Sequence, residues 1–273
     1  MRVSIVVSCV ALAYGANAAA QMPKFTGGPV TIEDQGSFFI GGEPKVSEHA
    51  SIPFAPPGQQ APAPTPQQIT IGQMYVQFQI PARKAGPGWP VIMVHGSTHT
   101  GAALESTPDG REGWYPYFVR NGIATYVVDQ SGRGRSGLDQ SVLHEAEARL
   151  AAGDAAPPAE PIPNFGRITD TAAWTAWFGH LLPAGSNITN GRLIRHGDPG
   201  DPQLPGDAKP HVAPLFPMDA VAEYYKQLVP NAEVTLPGST CATCNPSNLA
   251  PANTWTPQNL AALVERLGRA NDV

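Results

Sequence analysis

Cysteine is scarce in this chain, 3 among 273 residues, which argues against a small fold stapled by several disulfides. Charge is scarce too: 14% of the residues are Asp, Glu, Lys or Arg, and the net charge is -5. The Lys and Arg residues are scattered, so no basic face forms to neutralise phosphates, and nucleic acid is not an expected partner. No apolar run reaches the roughly 18 to 20 positions that a membrane-spanning helix needs. What is abundant is glycine, 28, and proline, 30, beside 42% hydrophobic residues. That combination describes a loop-rich protein with enough apolar side chains for a sizeable core.

Residues 1–20 read as a signal peptide, with Arg2, an apolar stretch from Val3 to Tyr14, and the small-residue pattern at Ala16, Asn17 and Ala18. A secreted or periplasmic location follows as an expectation. Val6, Val7, Ser8 and Cys9 resemble a lipoprotein box, but a cut before Cys9 leaves too short a signal. The remaining pair, Cys241 and Cys244, reads as a local disulfide that pins a loop. A redox pair of this spacing sits between a strand and its helix, whereas this one lies among Pro, Gly, Ser, Thr and Asn between Pro237 and Pro246.

After the signal, Pro29 to Glu33 and Ser37 to Ile40 suggest a hairpin turning at Asp34, Gln35 and Gly36. Ile69 to Ile80 alternates apolar and polar, broken at Gly72 and Gln73, as edge or antiparallel strands do. Val91 to Val94 and Ile123 to Val128 are almost continuously apolar, the pattern of parallel strands buried on both faces. Between them, Gly113 to Arg120 has helical spacing and stops at Asn121 and Gly122, which completes a βαβ unit. Further helices are expected over Leu143 to Ala151, Asp170 to Leu182, Met218 to Val229 and Pro257 to Leu267, the last with Thr256 as N-cap and Gly268 as stop. Trp174, Trp177, Phe178 and Leu181 form a stripe on the second of these, suited to packing on the main domain or, more pointedly, to substrate. The expected organisation is a leader at 1–20, the front of an α/β domain at 21–138, a helical cap at 139–217, and a continuation of the α/β domain at 218–273.

Two motifs carry chemistry. Val91 to Gly96 spells V-I-M-V-H-G, a buried strand that delivers His95 and Gly96 into a loop, with the amide of Ser97 as candidate donor to a developing oxyanion. A plain strand-to-helix turn with a packed histidine is the alternative. The second motif is the run from Asp129 to Ser136, D-x-x-G-x-G-x-S, in which Asp129 can hold loop amides while Gly132 and Gly134 permit a tight path. It is no dinucleotide loop, because the full glycine spacing is missing. Glu105 and Asp109 either meet substrate or cap the following helix, the latter being the plainer role. His196, Asp198, Asp201, Asp207 and His211 alternate with Pro and Gly in a loop, and neither metal nor cofactor is expected.

His95 to Gly101, the run from Ser106 to Arg111, Gly113, Trp114, Asp129 to Ser136, and Arg195 to Gly200 together resemble the small family of atypical bacterial secreted esterases of the α/β-hydrolase fold. The resemblance implies a predominantly parallel sheet with helices on both faces, a helical cap, and hydrolysis of small carboxylic esters by a Ser, acid, His triad. It also implies a nucleophile elbow, G-x-S-x-G, on a strand after the helix that ends near Gly268. None of the serines sits in that motif. Gly134, Arg135, Ser136, Gly137, Leu138 comes nearest and lacks the final glycine, and no histidine follows His211. The expectation is a hydrolase domain incomplete at its C-terminal side, with catalytic residues unassigned and no activity of its own. A homodimer or a second chain that supplies the missing strand would complete it. A secreted, non-catalytic ligand-binding domain on the same scaffold is the competing reading.

Overall fold

The computed structural model describes residues 29–52, 56–60, 63–85, 88–96, 98–153, 167–173, 177, 188–189, 192–193, 216–217, 220–230 and 255–271. Its strands and helices are, in chain order, β1 (Ile32–Ile40), β2 (Glu43–Ser47), β3 (Gln67–Ile71), β4 (Met74–Pro81), β5 (Val91–Val94), α1 (Ala102–Glu105), α2 (Trp114–Arg120) and β6 (Thr125–Asp129). There follow α3 (Ser141–Ala151), α4 (Asp170–Ala173), β7 (Ile188–Thr189), β8 (Arg192–Leu193), α5 (Val221–Tyr225) and α6 (Trp255–Asn271). Four strands form the main sheet in the order β1-β4-β6-β5. It is mixed: β1 and β6 run antiparallel to β4, while β5 and β6 are parallel and joined through α2.

Each face of the sheet has its own apolar layer. On one side Leu263 and Leu267 of α6 pack with Ile40, Met74, Val76 and Val128. On the other, Tyr115 and Val119 of α2 meet Met93 and Val127. Adjacent residues Val127 and Val128 point to opposite faces, so both are fully buried and β6 is the spine of the fold. Leu263 is also fully buried, and its truncation to Ala would cost about 2 to 5 kcal/mol. A separate cluster, Ala173, Val221, Tyr225 and Leu228, draws α4 and α5 together.

Several expectations are corrected. The hairpin at Asp34 to Gly36 is absent, and one continuous strand runs through it with an irregularity between Ile32 and Asp34. Gly36 faces Phe78, whose ring lies 3.1 Å from where a Cβ would stand, so this glycine makes room for a cross-strand aromatic and does not turn the chain. The turns fall later: at Gly41 and Gly42, and again at Gly72, all with positive φ, the chain passes between the main sheet and the β2-β3 pair. β5 is not buried on both faces; Val94 is 42% exposed, and among the described residues β5 has a strand on one side only. α6 begins before Thr256, which is not its cap, and continues through Gly268, which has open space around it and no positive φ, to Asn271.

Candidate functional site

β5 and β6 run parallel, so their C-terminal ends discharge two loops on the same edge of the sheet, where α/β folds gather their ligands. β5 delivers His95 and Gly96, and β6 delivers Asp129 and the turn after it.

His95 is buried and bonded at both ring nitrogens. Its Nε2 accepts the N–H of Gln130 at 3.1 Å, which places the ring proton on Nδ1, 2.9 Å from the Gly96 carbonyl oxygen it donates to. Gln130 closes the exchange by donating its side-chain amide to the His95 carbonyl at 2.8 Å. Burial lowers the imidazole pKa, the Gly96 carbonyl works in the opposite direction, and the nearby Arg133 charge reinforces the lowering. A neutral imidazole with both nitrogens engaged is a brace between loops and has no free lone pair to act as a base.

Arg133 supplies a second brace. Its guanidinium is buried and donates from Nη1 to the carbonyls of Gly96, at 3.0 Å, and His99, at 3.5 Å. The carbonyls of Gly96 and His99 are thus held by one guanidinium, and the His99 amide turns in to the Gly96 carbonyl at 3.4 Å. Ser97 lies outside the described residues, so the candidate oxyanion donor is bracketed by residues whose positions are fixed. One of them, Thr98, is β-branched yet sits at φ 59°, with its hydroxyl buried and without a hydrogen-bond partner among the described residues. Strain of this kind costs about 1 to 3 kcal/mol and collects at functional loops. The Thr98 carbonyl accepts the N–H of Val229 at 2.8 Å, which ties the loop to the segment after α5.

Asp129 is buried at the root of the second loop. Its Oδ1 accepts the Gly101 amide at 2.7 Å, and its Oδ2 accepts the amide and Nε of Arg135, each at 2.8 Å. Burial pushes its pKa up, but the Arg135 bonds and the two amides outweigh that and hold the carboxyl below its ordinary range. Gly132 and Gly134 both have positive φ, and a Cβ on Gly134 would lie 2.7 Å from Asp129 Oδ2. Ser136 is buried; its hydroxyl donates to the Asp129 carbonyl at 2.5 Å and accepts the Tyr75 amide at 2.8 Å. A hydroxyl committed in both directions is a structural pin.

Asp109 neither caps α2 nor faces the cleft. It accepts from Thr107 at 2.5 Å and from Arg111 at 2.6 Å, and so closes its own loop, while α2 has Gly113 at its N-cap and no side-chain cap. Glu105 ends α1, with Arg135 at 3.7 Å. Cys241, Cys244, the loop from His196 to His211, and Trp174, Phe178 and Leu181 lie outside the described residues. Among the described residues no group of three or more His, Cys, Asp or Glu gathers around a metal-sized space.

A cleft of about 570 Å³ opens beside Gly96. Val94, His95 and Gly96 form its floor, Ala103 and Leu104 of α1 one wall, and His99, Trp177, Phe216 and Tyr224 the other. The aromatic wall is one packed set: Tyr224 lies 5.4 Å from His99, 5.8 Å from Trp177 and 5.5 Å from Phe216, centroid to centroid. Gln130, Arg133, Phe216 and Tyr224 were not singled out from the sequence as site residues. For Arg133 a signal existed, a bulky cation between two glycines directly after a buried strand.

No protein-family model matches the chain. Its structure is similar to that of a bacterial esterase solved at atomic resolution and described as novel, with a TM-score of 0.60 and 32% sequence identity; the match covers 90% of this chain and 61% of that one. A probable secreted lipase, phiG, of a fungal species (strain ATCC 74256) is 40% identical over 63 residues, 23% of this chain and 17% of the lipase. The chain thus spans about three-fifths of the similar esterase and matches a much smaller share of the lipase. Its fold is that of the α/β hydrolases, and the proteins it is similar to are an esterase and a lipase.

Proposed function

We infer that this protein is an exported carboxylic-ester hydrolase of the α/β-hydrolase family, and that the loop from Gly96 to His99 is its oxyanion-binding element. The observation that carries this reading is the bracing of that loop. Arg133 takes its carbonyls from behind, Gln130 and His95 fix its root, and a substrate-sized cleft opens in front of Gly96. Fixed backbone amides beside a cleft stabilise a developing oxyanion without reorganising, which is the largest single contribution in acyl transfer. The Ser97 amide is the donor in this reading, the turn from Asp129 to Gly134 is its support, and Cys241 and Cys244 form a local disulfide. Export rests on the leader at residues 1–20 and on the similarity to a protein named as a secreted lipase. Among the described residues no helix is long and apolar enough to cross a membrane.

In this reading the 273 residues hold the oxyanion side of the site and not the attacking side. They contain no G-x-S-x-G, and Ser136, the nearest approach, is buried and doubly bonded. Hydrolysis of p-nitrophenyl esters by the purified chain should not exceed that of an unrelated folded protein. Turnover that disappears in Ser136→Ala would identify the rejected serine as the nucleophile. The hydrolase reading itself is tested by fusing residues 21–273 to the portion of the similar esterase that this chain does not match. A folded fusion that turns over esters supports it, and a folded, inactive one favours the competing role of a non-catalytic binding domain.

A further inference from the structure

The cleft beside Gly96 has walls of unequal chemistry. Among the described residues that line it, none is Asp, Glu, Lys or Arg. A charged group entering it would give up part of its hydration, and a cation would meet no carboxylate among them. The buried Arg133 guanidinium, donating to the Gly96 carbonyl behind the floor, adds a positive charge that opposes a cation in particular. The wall of His99, Trp177, Phe216 and Tyr224 instead presents rings already in mutual contact, at centroid spacings of 5.4 to 5.9 Å, against whose cleft side a further ring can pack. Burial pushes the Tyr224 hydroxyl pKa up to about 12, so that residue stays uncharged at any working pH. The volume, about 570 Å³, lies within the span of small-ligand sites.

We propose that this cleft is a subsite for an uncharged aryl group of the ester, with Trp177 and Tyr224 as its specificity-determining wall. This deepens the hydrolase reading and rests on it for the word ester, but the aryl preference is a property of the cleft and is measured by binding alone. Trp177 is 43% exposed and stands outside the two apolar layers of the main sheet, so its replacement leaves those layers in place.

The test is isothermal titration of the 273-residue chain with three probes: acetanilide, a neutral aryl amide shaped like an aryl ester; acetylcholine, a cation; and monoethyl succinate, an anion. Acetanilide is expected to bind at least about tenfold more tightly than either charged probe. Trp177→Ala should weaken it about fivefold, and Trp177→Phe, which keeps a ring, less than about twofold. Acetylcholine binding as tightly as acetanilide would mean a cation-binding aromatic cage and would overturn the proposal. So would an absence of acetanilide binding, or binding indifferent to Trp177→Ala. The two readings fail separately. Selective acetanilide binding beside a folded, inactive fusion keeps the aryl subsite and removes the hydrolase; an active fusion whose chain ignores acetanilide does the reverse.

Discussion

Arg133 Nη1 donates to the carbonyl oxygen of Gly96 at 3.0 Å, so a buried guanidinium stands directly behind the loop that faces the cleft. Replacement by Met keeps the length and removes the donors. The carbonyls of Gly96 and His99 then each lose a charged donor, though Gly96 keeps the bond from His95 Nδ1, and the change should cost about 1 to 3 kcal/mol in all. Arg133→Met should lower the thermal midpoint and speed amide exchange at His99, whereas a surface change such as Lys84→Met should do neither.

His95 is buried with a lowered pKa, so it stays neutral in the fold while its unfolded counterpart titrates near 6.5. As pH falls through that value the unfolded chain takes up a proton that the folded chain refuses, and stability falls. The thermal midpoint should therefore decline as pH drops below about 6.5, and His95→Asn should flatten that part of the profile. Imidazole nitrogen shifts should show the proton on Nδ1; a proton on Nε2 would contradict the bond from Gln130.

Asp129 acts at lower pH and with its own sign. Its folded pKa lies below the ordinary 3.8, so its contribution is complete above 3.8 and is lost as pH falls toward its folded value. Asp129→Asn keeps the shape but breaks the pair with Arg135, and should cost on the order of 3 kcal/mol at neutral pH. Chemical denaturation between pH 2 and pH 7 distinguishes the two, because the variant should lose most of the acid sensitivity that Asp129 confers.

Gly134 combines a positive φ with Asp129 Oδ2 at 2.7 Å from any added Cβ. Gly134→Ala should destabilise by about 2 kcal/mol or more, from backbone strain plus displacement of the carboxylate. Gly153 also has a positive φ but open space around it, so Gly153→Ala should cost only the strain, roughly 1 kcal/mol. Comparing their unfolding midpoints separates strain from collision.

Much of the βαβ unit was legible because its signals are local. Val91 to Val94 and the run ending at Asp129 are apolar on successive positions, and Asn121 and Gly122 stop α2 as their chemistry requires. The hairpin at Asp34 failed because Gly36 was read as a turn former, when the reason for that glycine is Phe78 on another strand. Arg133 was visible as a residue but not as a brace, since its partners lie 34 and 37 positions away. The cleft was the least legible part. Its aromatic wall joins Trp177, Phe216 and Tyr224, which share no period and meet only once the chain is folded.

The polar anchorage of α6 bears on the order in which this molecule assembles. Asn259 donates to Ser131 Oγ at 2.9 Å and to the Gly72 carbonyl at 2.8 Å, and Thr256 accepts the Ser131 amide at 3.0 Å. These bonds span 128, 187 and 125 positions of sequence. Contacts of such separation close late, because the intervening chain must first give up its freedom. During synthesis the turn after β6 leaves the ribosome well before the helix that fastens it. The loops around the cleft therefore spend an interval with their root unfastened, and α6 is the element whose arrival converts a sheet with loose ends into a shaped site.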